Sequence, residues 1–391
     1  MPPELKDKIP DLSDLKNNFR EFKDVQLPID ILLLTVKDIE FQSCYFYLKD
    51  VFQSYEKDLG YVYFGEMGEV GNAKLKVALF KCSAKPGGAL LAVMNTVRKL
   101  RPKAVFCVGC CGALHRDMTN LGDVIVSAKL TTFAQRLVTN QGVHPCGFSV
   151  PVSNDIGKII QYASCGWKAP LKNPEERGSV KVHTDGEFLS GPEEIDSEER
   201  WRELVKLYPN AIAIEKDGEG VFSAAQDLRM EWVVIKGISN YVDGTASFTE
   251  KWEPFASAMA ASVVNNILRT PVVFKEWAHY KSSDTARAQN EAQASARFNA
   301  EEGNGGSWDN TLGSLLQSLT SESGQVNLKG RVICYRADGR FRGFQLEYLG
   351  VAWDVESGTS VKARHYKSRQ GAIEHAVKQL IDELKAKGIL S

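Results

Sequence analysis

Four short segments combine carboxylates, glycines and amides in a way that suits the handling of a small polar ligand. They are Thr35-Val-Lys-Asp-Ile-Glu40, Val108-Gly-Cys-Cys-Gly-Ala113, Glu215-Lys-Asp-Gly-Glu-Gly220 and Gly237-Ile-Ser-Asn-Tyr-Val-Asp-Gly244. An ionised carboxylate only accepts hydrogen bonds, so Glu215 and Asp217 suit a pair of vicinal hydroxyls, which donate them. Glu40, closing the first segment, is placed to orient a water or a hydroxyl. Gly109 and Gly112 let the backbone approach a ligand closely with its amide N–H groups facing it. Each segment alone has a plain alternative, because a carboxylate after a strand is usually just solvated. Their order along the chain is the stronger signal.

Each segment follows a stretch that reads as a buried strand. Ile29–Val36 is a continuous apolar run, the mark of a strand covered on both faces. Lys76–Phe80, Ala104–Val108, Asp123–Ser127, Ala211–Ile214 and Trp232–Ile235 read as further strands, with the fourth of the chemistry-bearing segments forming a turn and Ala104–Val108 breaking at Gly109. Gly87–Leu100 has helical spacing, with Leu90, Leu91, Met94, Val97 and Leu100 on one side, and Phe255–Leu268 closes with a helix. Buried strands alternating with helices predict a three-layer α/β domain with a central, mostly parallel sheet. In such sheets ligands bind outside the carboxyl ends of the strands, where the four segments lie.

The chain has 391 residues, about right for two domains, and a net charge of −1, which is not the balance of a polycation that coats nucleic acid by charge alone. No run of about 18 apolar residues is present, so no membrane-spanning helix is expected. The start of the chain is charged and lacks the apolar core of a signal peptide, which points to the cytoplasm, with the nucleus left open. Eight cysteines are scattered without the spacing of a disulfide framework. Cys107-Val-Gly-Cys110-Cys111 invites a zinc or redox reading, but a second ligand pair is missing and no metal is expected. Ser282–Ser307 is rich in Ala, Gln, Asn, Glu, Gly and Ser and reads as a flexible linker. The expected division is a polar leader over 1–27, the α/β domain over 28–275, a linker over 276–307 and a second domain over 308–391.

From Ile29 to Leu268 the order and spacing of these segments resemble the nucleoside phosphorylase superfamily, on the side of the methylthioadenosine/S-adenosylhomocysteine nucleosidases. The match includes Leu121-Gly-Asp-Val-Ile-Val-Ser127 and Gly186-Glu-Phe-Leu-Ser-Gly191 beside the segments above. The resemblance implies cleavage of the N-glycosidic bond of a purine nucleoside or nucleotide without a cofactor. Water would attack if Glu40 activates it; otherwise phosphate would be the co-substrate. By the same resemblance Glu40 holds the water, Gly109, Cys110 and Cys111 face the ribose and the nucleophile, and Phe188 stacks on the purine. Lys216 and Asp217 stand under the sugar, where the family usually has Met-Glu, beside Glu215. Asn240 stands where the family keeps the acid that protonates purine N7; it can donate an amide hydrogen bond there but no proton. Lys216 adds a cation that would favour phosphorylated ligands. A homo-oligomer formed through this domain is expected. The alternatives are a catalytically impaired purine-binding module and an RNA-binding scaffold.

In the second domain Trp308–Leu319 has helical spacing, Gly330–Tyr335 reads as a strand, Arg342–Leu349 and Gly350–Trp353 as one or two more, and Arg369–Leu384 is a helix with Ala372, Ala376, Leu380 and Leu384 on one side. This α-β-β-β-α order, with Lys367-Ser-Arg-Gln-Gly-Ala-Ile-Glu-His-Ala-Val377 opening the last helix, resembles a double-stranded-RNA-binding domain. The resemblance implies phosphate contacts from Lys362, Arg364, Lys367 and Arg369. The family's Gly-Pro-x-His-type loop is absent and Ile373 sits where a Lys is usual; a domain used for protein contacts is the alternative. A nucleosidase tied to an RNA sensor follows, by analogy, the pattern of immune effectors in this family.

Overall fold

The runs read as strands assemble around one sheet in the computed structural model, which describes the whole chain except residues 72, 86, 135, 140, 141, 146, 174, 176–178, 247, 248, 282–322, 329, 330, 343, 344, 355 and 391. The chain divides into two units, Met1–Lys281 and Ser282–Ser391. The first holds β1 (Ile31–Thr35), α1 (Asp38–Phe46), β2 (Lys49–Glu56), β3 (Gly60–Met67), β4 (Leu75–Lys81), α2 (Gly88–Leu100), β5 (Ala104–Ala113) and β6 (Val124–Thr132). A small hairpin, β7 (Arg136–Thr139) and β8 (Gly142–Pro145), follows. Then come β9 (Ser149–Pro151), α3 (Asn154–Ile160), β10 (Val182–Ser190), α4 (Glu198–Leu207), β11 (Ala213–Glu215), α5 (Gly218–Leu228), β12 (Glu231–Tyr241) and α6 (Glu253–Leu268).

The main sheet runs β11-β10-β6-β12-β5-β1-β4-β3-β2, with β9 on β6. Its centre is parallel: β1 pairs with β4 and β5, β12 with β5, and β10 with β6 and β11. The β2–β3–β4 edge is antiparallel, and β12 meets β6 antiparallel. The end of β5 also pairs with β11, which closes β11, β10, β6, β12 and β5 into a ring. Burial on both faces explains the continuous apolar runs. Ile31 and Leu33 of β1 pack with α1, α3 and α6, while Leu32 and Leu34 pack with α2 and α5. The expected three-layer α/β architecture is what forms.

Two strands run further than the sequence reading had them. β5 does not break at Gly109 but continues to Ala113, and β12 does not turn after Ile235 but continues to Tyr241, the two paired side by side along their length. The glycines are in the strand because neighbours occupy the space of their absent side chains. A Cβ at Gly109 would lie 2.1 Å from Glu40 Oε1, and one at Gly112 would lie 2.5 Å from Val242. Gly186–Ser190, most of the Gly186–Gly191 match, lies in strand β10.

The second unit is an antiparallel meander of β13 (Ser323–Leu328), β14 (Arg331–Arg342), β15 (Gln345–Asp354) and β16 (Ser360–Tyr366), followed by α7 (Arg369–Ala386). Leu328, Ile333, Tyr335, Ala352 and Ala363 form its core with Ile373, Val377, Leu380, Ile381 and Leu384 of the helix. Of the one or two strands expected over 342–353, one forms, β15. Gly350 sits mid-strand because α7 crosses there: a Cβ would fall 2.0 Å from the Ala372 carbonyl oxygen. The expected helix Trp308–Leu319 and linker Ser282–Ser307 lie outside the described residues.

Candidate active site

α1 starts almost at once after β1, and this short connection carries Glu40 into the protein. Glu40 is the third residue of the helix and is 3% exposed. Its Oε2 accepts hydrogen bonds from the amides of Val36 and Lys37, both at 2.9 Å, and its Oε1 accepts one from Cys110 on β5 at 2.8 Å. A carboxylate has roughly four acceptor positions, so three amides leave about one for a ligand. The negative charge also sits at the positive end of a helix, where it is favoured.

Lys236, on β12 beside Gly109, has no exposed surface. A buried ammonium needs a counter-charge, and Lys236 Nζ lies 2.9 Å from Asp217 Oδ2 at the start of α5. Burial alone would pull its proton affinity down. Asp217 first, with Glu40 and Glu215, more than offsets this, and Lys236 is held well above its ordinary value. Glu215, the last residue of β11, accepts from the amides of Asp217 at 2.9 Å and Gly218 at 2.9 and 3.0 Å. Burial raises its carboxyl above the usual range, while Lys236 draws it back. Glu40, Glu215 and Asp217 therefore surround one lysine, at the carboxyl ends of β1 and β11 and midway along β12. Cys82 stands by the same group, its thiol pushed up to about 12 by burial and then by Asp217. Burial likewise raises Cys107, Cys110 and Cys111, so at neutral pH these are thiols rather than nucleophilic thiolates.

The other residues singled out in the sequence are placed as follows. Gly109 and Cys110 touch Glu40 directly; Cys110 Sγ is also 2.8 Å from Ser257 Oγ, and Cys111 is in the core. Asn240, half-buried, pairs with Gly112, and its Oδ1 accepts from Ser239 Oγ at 3.0 Å. Phe188 has no exposed surface and packs in the core between the sheet, α2 and α5, so its ring faces no open space. Lys216 points outward and pairs with Glu194 at 3.0 Å. Beyond Asn240, a cavity of about 250 Å³ is lined by Ala113, Leu114, His115, Arg116, Trp201 and Tyr241, among others. Lys236 was not singled out in the sequence. Its signal was a single charge inside the otherwise apolar run Trp232-Val-Val-Ile-Lys236-Gly-Ile238.

The sequence profile described as the phosphorylase superfamily matches residues 50–269. A death domain-containing ATP nucleosidase of Amphimedon queenslandica is 28% identical over 270 residues, 62% of this chain. The chain spans 48% of that relative's length. A 5′-methylthioadenosine/S-adenosylhomocysteine nucleosidase of Staphylococcus aureus is 24% identical over 183 residues, 44% of this chain and 72% of that protein. Among solved structures, the nucleosidase of the same name from Neisseria meningitidis superposes with a TM-score of 0.51 at 17% identity, covering 61% of this chain and 98% of its own. The S-adenosylhomocysteine nucleosidase of Streptococcus pyogenes gives 0.51 at 16% identity, over 62% and 96%. With the profile spanning more than half of the chain and the fold shared with these nucleosidases, the chain belongs to the phosphorylase superfamily.

Proposed function

We propose that the first unit hydrolyses the N-glycosidic bond of a purine nucleoside or nucleotide, with Glu40 taking a proton from the attacking water. The observation that carries this reading is the buried Glu40 carboxylate, held by three main-chain amides in one group with Lys236, Asp217 and Glu215. ATP, methylthioadenosine and S-adenosylhomocysteine, the substrates in the relatives' names, share an adenine N-glycosidic bond, which supports the choice of bond. In the reaction the C1′–N bond breaks, its electron pair leaves with the base, and a C1′–O bond forms to water. Positive charge builds on the ribose, where neighbouring carboxylates stabilise it. Asp217 uses Oδ2 on Lys236, which leaves Oδ1 for a ribose hydroxyl. Three carboxylates against one lysine make the group anionic; that favours water over phosphate as the nucleophile. Asn240 donates its amide to N7 of the leaving base, which forgoes the roughly 10²–10⁴-fold contribution of a general acid. No cofactor enters these steps. The test is release of free base from a panel of purine nucleosides and nucleotides, with and without phosphate. Glu40→Gln is expected to lower turnover at least about 100-fold while the circular dichroism spectrum is kept. A Glu40→Gln protein as active as the parent overturns the assignment.

For the second unit we propose weak, phosphate-driven contact with double-stranded RNA. Lys362 and Arg364 are exposed on the same side of β16, and Lys367 and Arg369 are exposed at the start of α7, which supports a basic strip suited to phosphates. Ile373 is in the core and adds nothing to that strip.

A further inference from the structure

Next to the Glu40 group two exposed lysines meet carboxylates of their own chain. Lys37 caps α1 and pairs with Glu253 at the start of α6. Lys216 follows β11 and pairs with Glu194 at 3.0 Å. Both cations act on Glu194, whose carboxyl is held below its usual range, chiefly by Lys216 and also by Lys37. Lys37 gives its own amide to Glu40, and Lys216 stands in the chain between Glu215 and Asp217, so both lysines adjoin the buried group.

Glu194 is the more loosely held of these two carboxylates. The Glu194 side chain is 88% exposed and Lys216 is half-exposed, and an ion pair between exposed groups contributes little. A stronger anion can displace that carboxylate. The interior offers no room for such an anion, because Glu40, Glu215 and Asp217 outnumber Lys236 there. A ligand whose sugar enters this group must therefore keep any phosphates outside it, towards the exposed ammonium groups of the two lysines.

We propose that Lys37 and Lys216 bind the phosphate chain of a purine nucleotide, with Glu194 and Glu253 holding the two ammonium groups until the phosphates displace them. This rests on the reading of the Glu40 group as a purine nucleosidase centre and narrows its substrate class from nucleosides to nucleotides. An ammonium is a compact charge with three donors, so two of them accept a flexible phosphate chain without demanding one orientation. The carboxylates have a second effect: they neutralise the two lysines when no ligand is bound, so that a ligand carrying fewer charges gains less there.

The test measures affinity of the full chain for ATP, AMP and adenosine by calorimetry, alongside release of adenine. ATP is expected to bind at least about tenfold more tightly than adenosine, and inorganic tripolyphosphate to compete with ATP. Lys37→Met combined with Lys216→Met is expected to cut the ATP-to-adenosine affinity ratio at least about tenfold. Glu194→Gln is expected to raise it. Lys158→Met, an exposed lysine paired with Asp155 on α3, serves as the control and leaves the ratio as it was. Raising the salt concentration should weaken ATP binding far more than adenosine binding, a readout that needs no variant. ATP binding no tighter than adenosine, or a ratio unchanged in the double variant, overturns the proposal. Adenine released from none of the compounds overturns the hydrolytic reading instead, and the affinity ratios still decide the role of the lysines.

Discussion

A lysine with no exposed surface must find its counter-charge inside the protein, and Lys236 finds it in Asp217, with Glu40 and Glu215 nearby. Removing the cation leaves three carboxylates in a confined space. Lys236→Met is expected to destabilise the first unit by about 3–5 kcal/mol, measured by thermal unfolding, and Asp217→Asn added to it should recover part of the loss. Gly109→Ala is expected to abolish turnover, because the new methyl would occupy the position of the Glu40 carboxylate. Asn240→Asp is expected to raise turnover by restoring a proton donor at the leaving base; free-base release at fixed substrate checks it, and an unchanged or lower rate assigns Asn240 to its amide role. Glu40, Glu215 and Asp217 were legible in the sequence as carboxylates placed after apolar runs. Lys236 was not, because a charge within such a run gives no hint of the carboxylates that the topology brings to it. Phe188 was legible as an aromatic, but which side of β10 it faces depends on packing that the sequence does not display.

The strand cores and the helices α2 and α6 were readable from periodicity, since each strand buries both faces and each helix buries at least one. Their ends were harder. Gly109 and Gly237 read as stops and Gly350 as a stop or a continuation, yet each lies within a strand because another part of the chain comes close. Ala256 O would lie 2.1 Å from a Cβ at Gly237, and Ala372 O 2.0 Å from one at Gly350. β2, β3 and β10 escaped the reading because their polar residues, among them Asp50, Glu56, Glu66 and Asp185, hide a strand at a sheet edge or beside the site. Gly350→Ala is expected to push α7 off the meander and destabilise the second unit by about 1–3 kcal/mol. Hydrogen exchange in the full chain should show β14, β15 and α7 losing protection while β1 and β5 keep theirs.

The two units respond to solution conditions through different groups. In the second, buried Asp354 accepts from Arg331 at 2.5 Å and from the Ser357 amide at 2.9 Å and hydroxyl at 2.5 Å. Burial alone would raise its carboxyl, but these partners bring it from 3.8 to about 2. A folded value below the unfolded one contributes stability above pH 4 that is lost as the pH falls towards 2. Protection of β14 and β15 against hydrogen exchange should therefore drop across that window, and Asp354→Asn should flatten the dependence. Salt is expected to weaken binding of double-stranded RNA by the full chain, because counterion release drives phosphate contacts. Binding that ignores salt, or that survives loss of Lys367 and Arg369 together, leaves a protein-contact role for this unit.

The hold on Glu40 is made by the main chain at Val36, Lys37 and Cys110, not by their side chains. Those three positions can drift through nearly the whole amino-acid alphabet without altering the charge they cradle. Proline is the exception at each, because it carries no N–H to give. A search for this centre by side-chain identity passes over the part that holds it together; the constraint is written as a letter forbidden rather than a letter required.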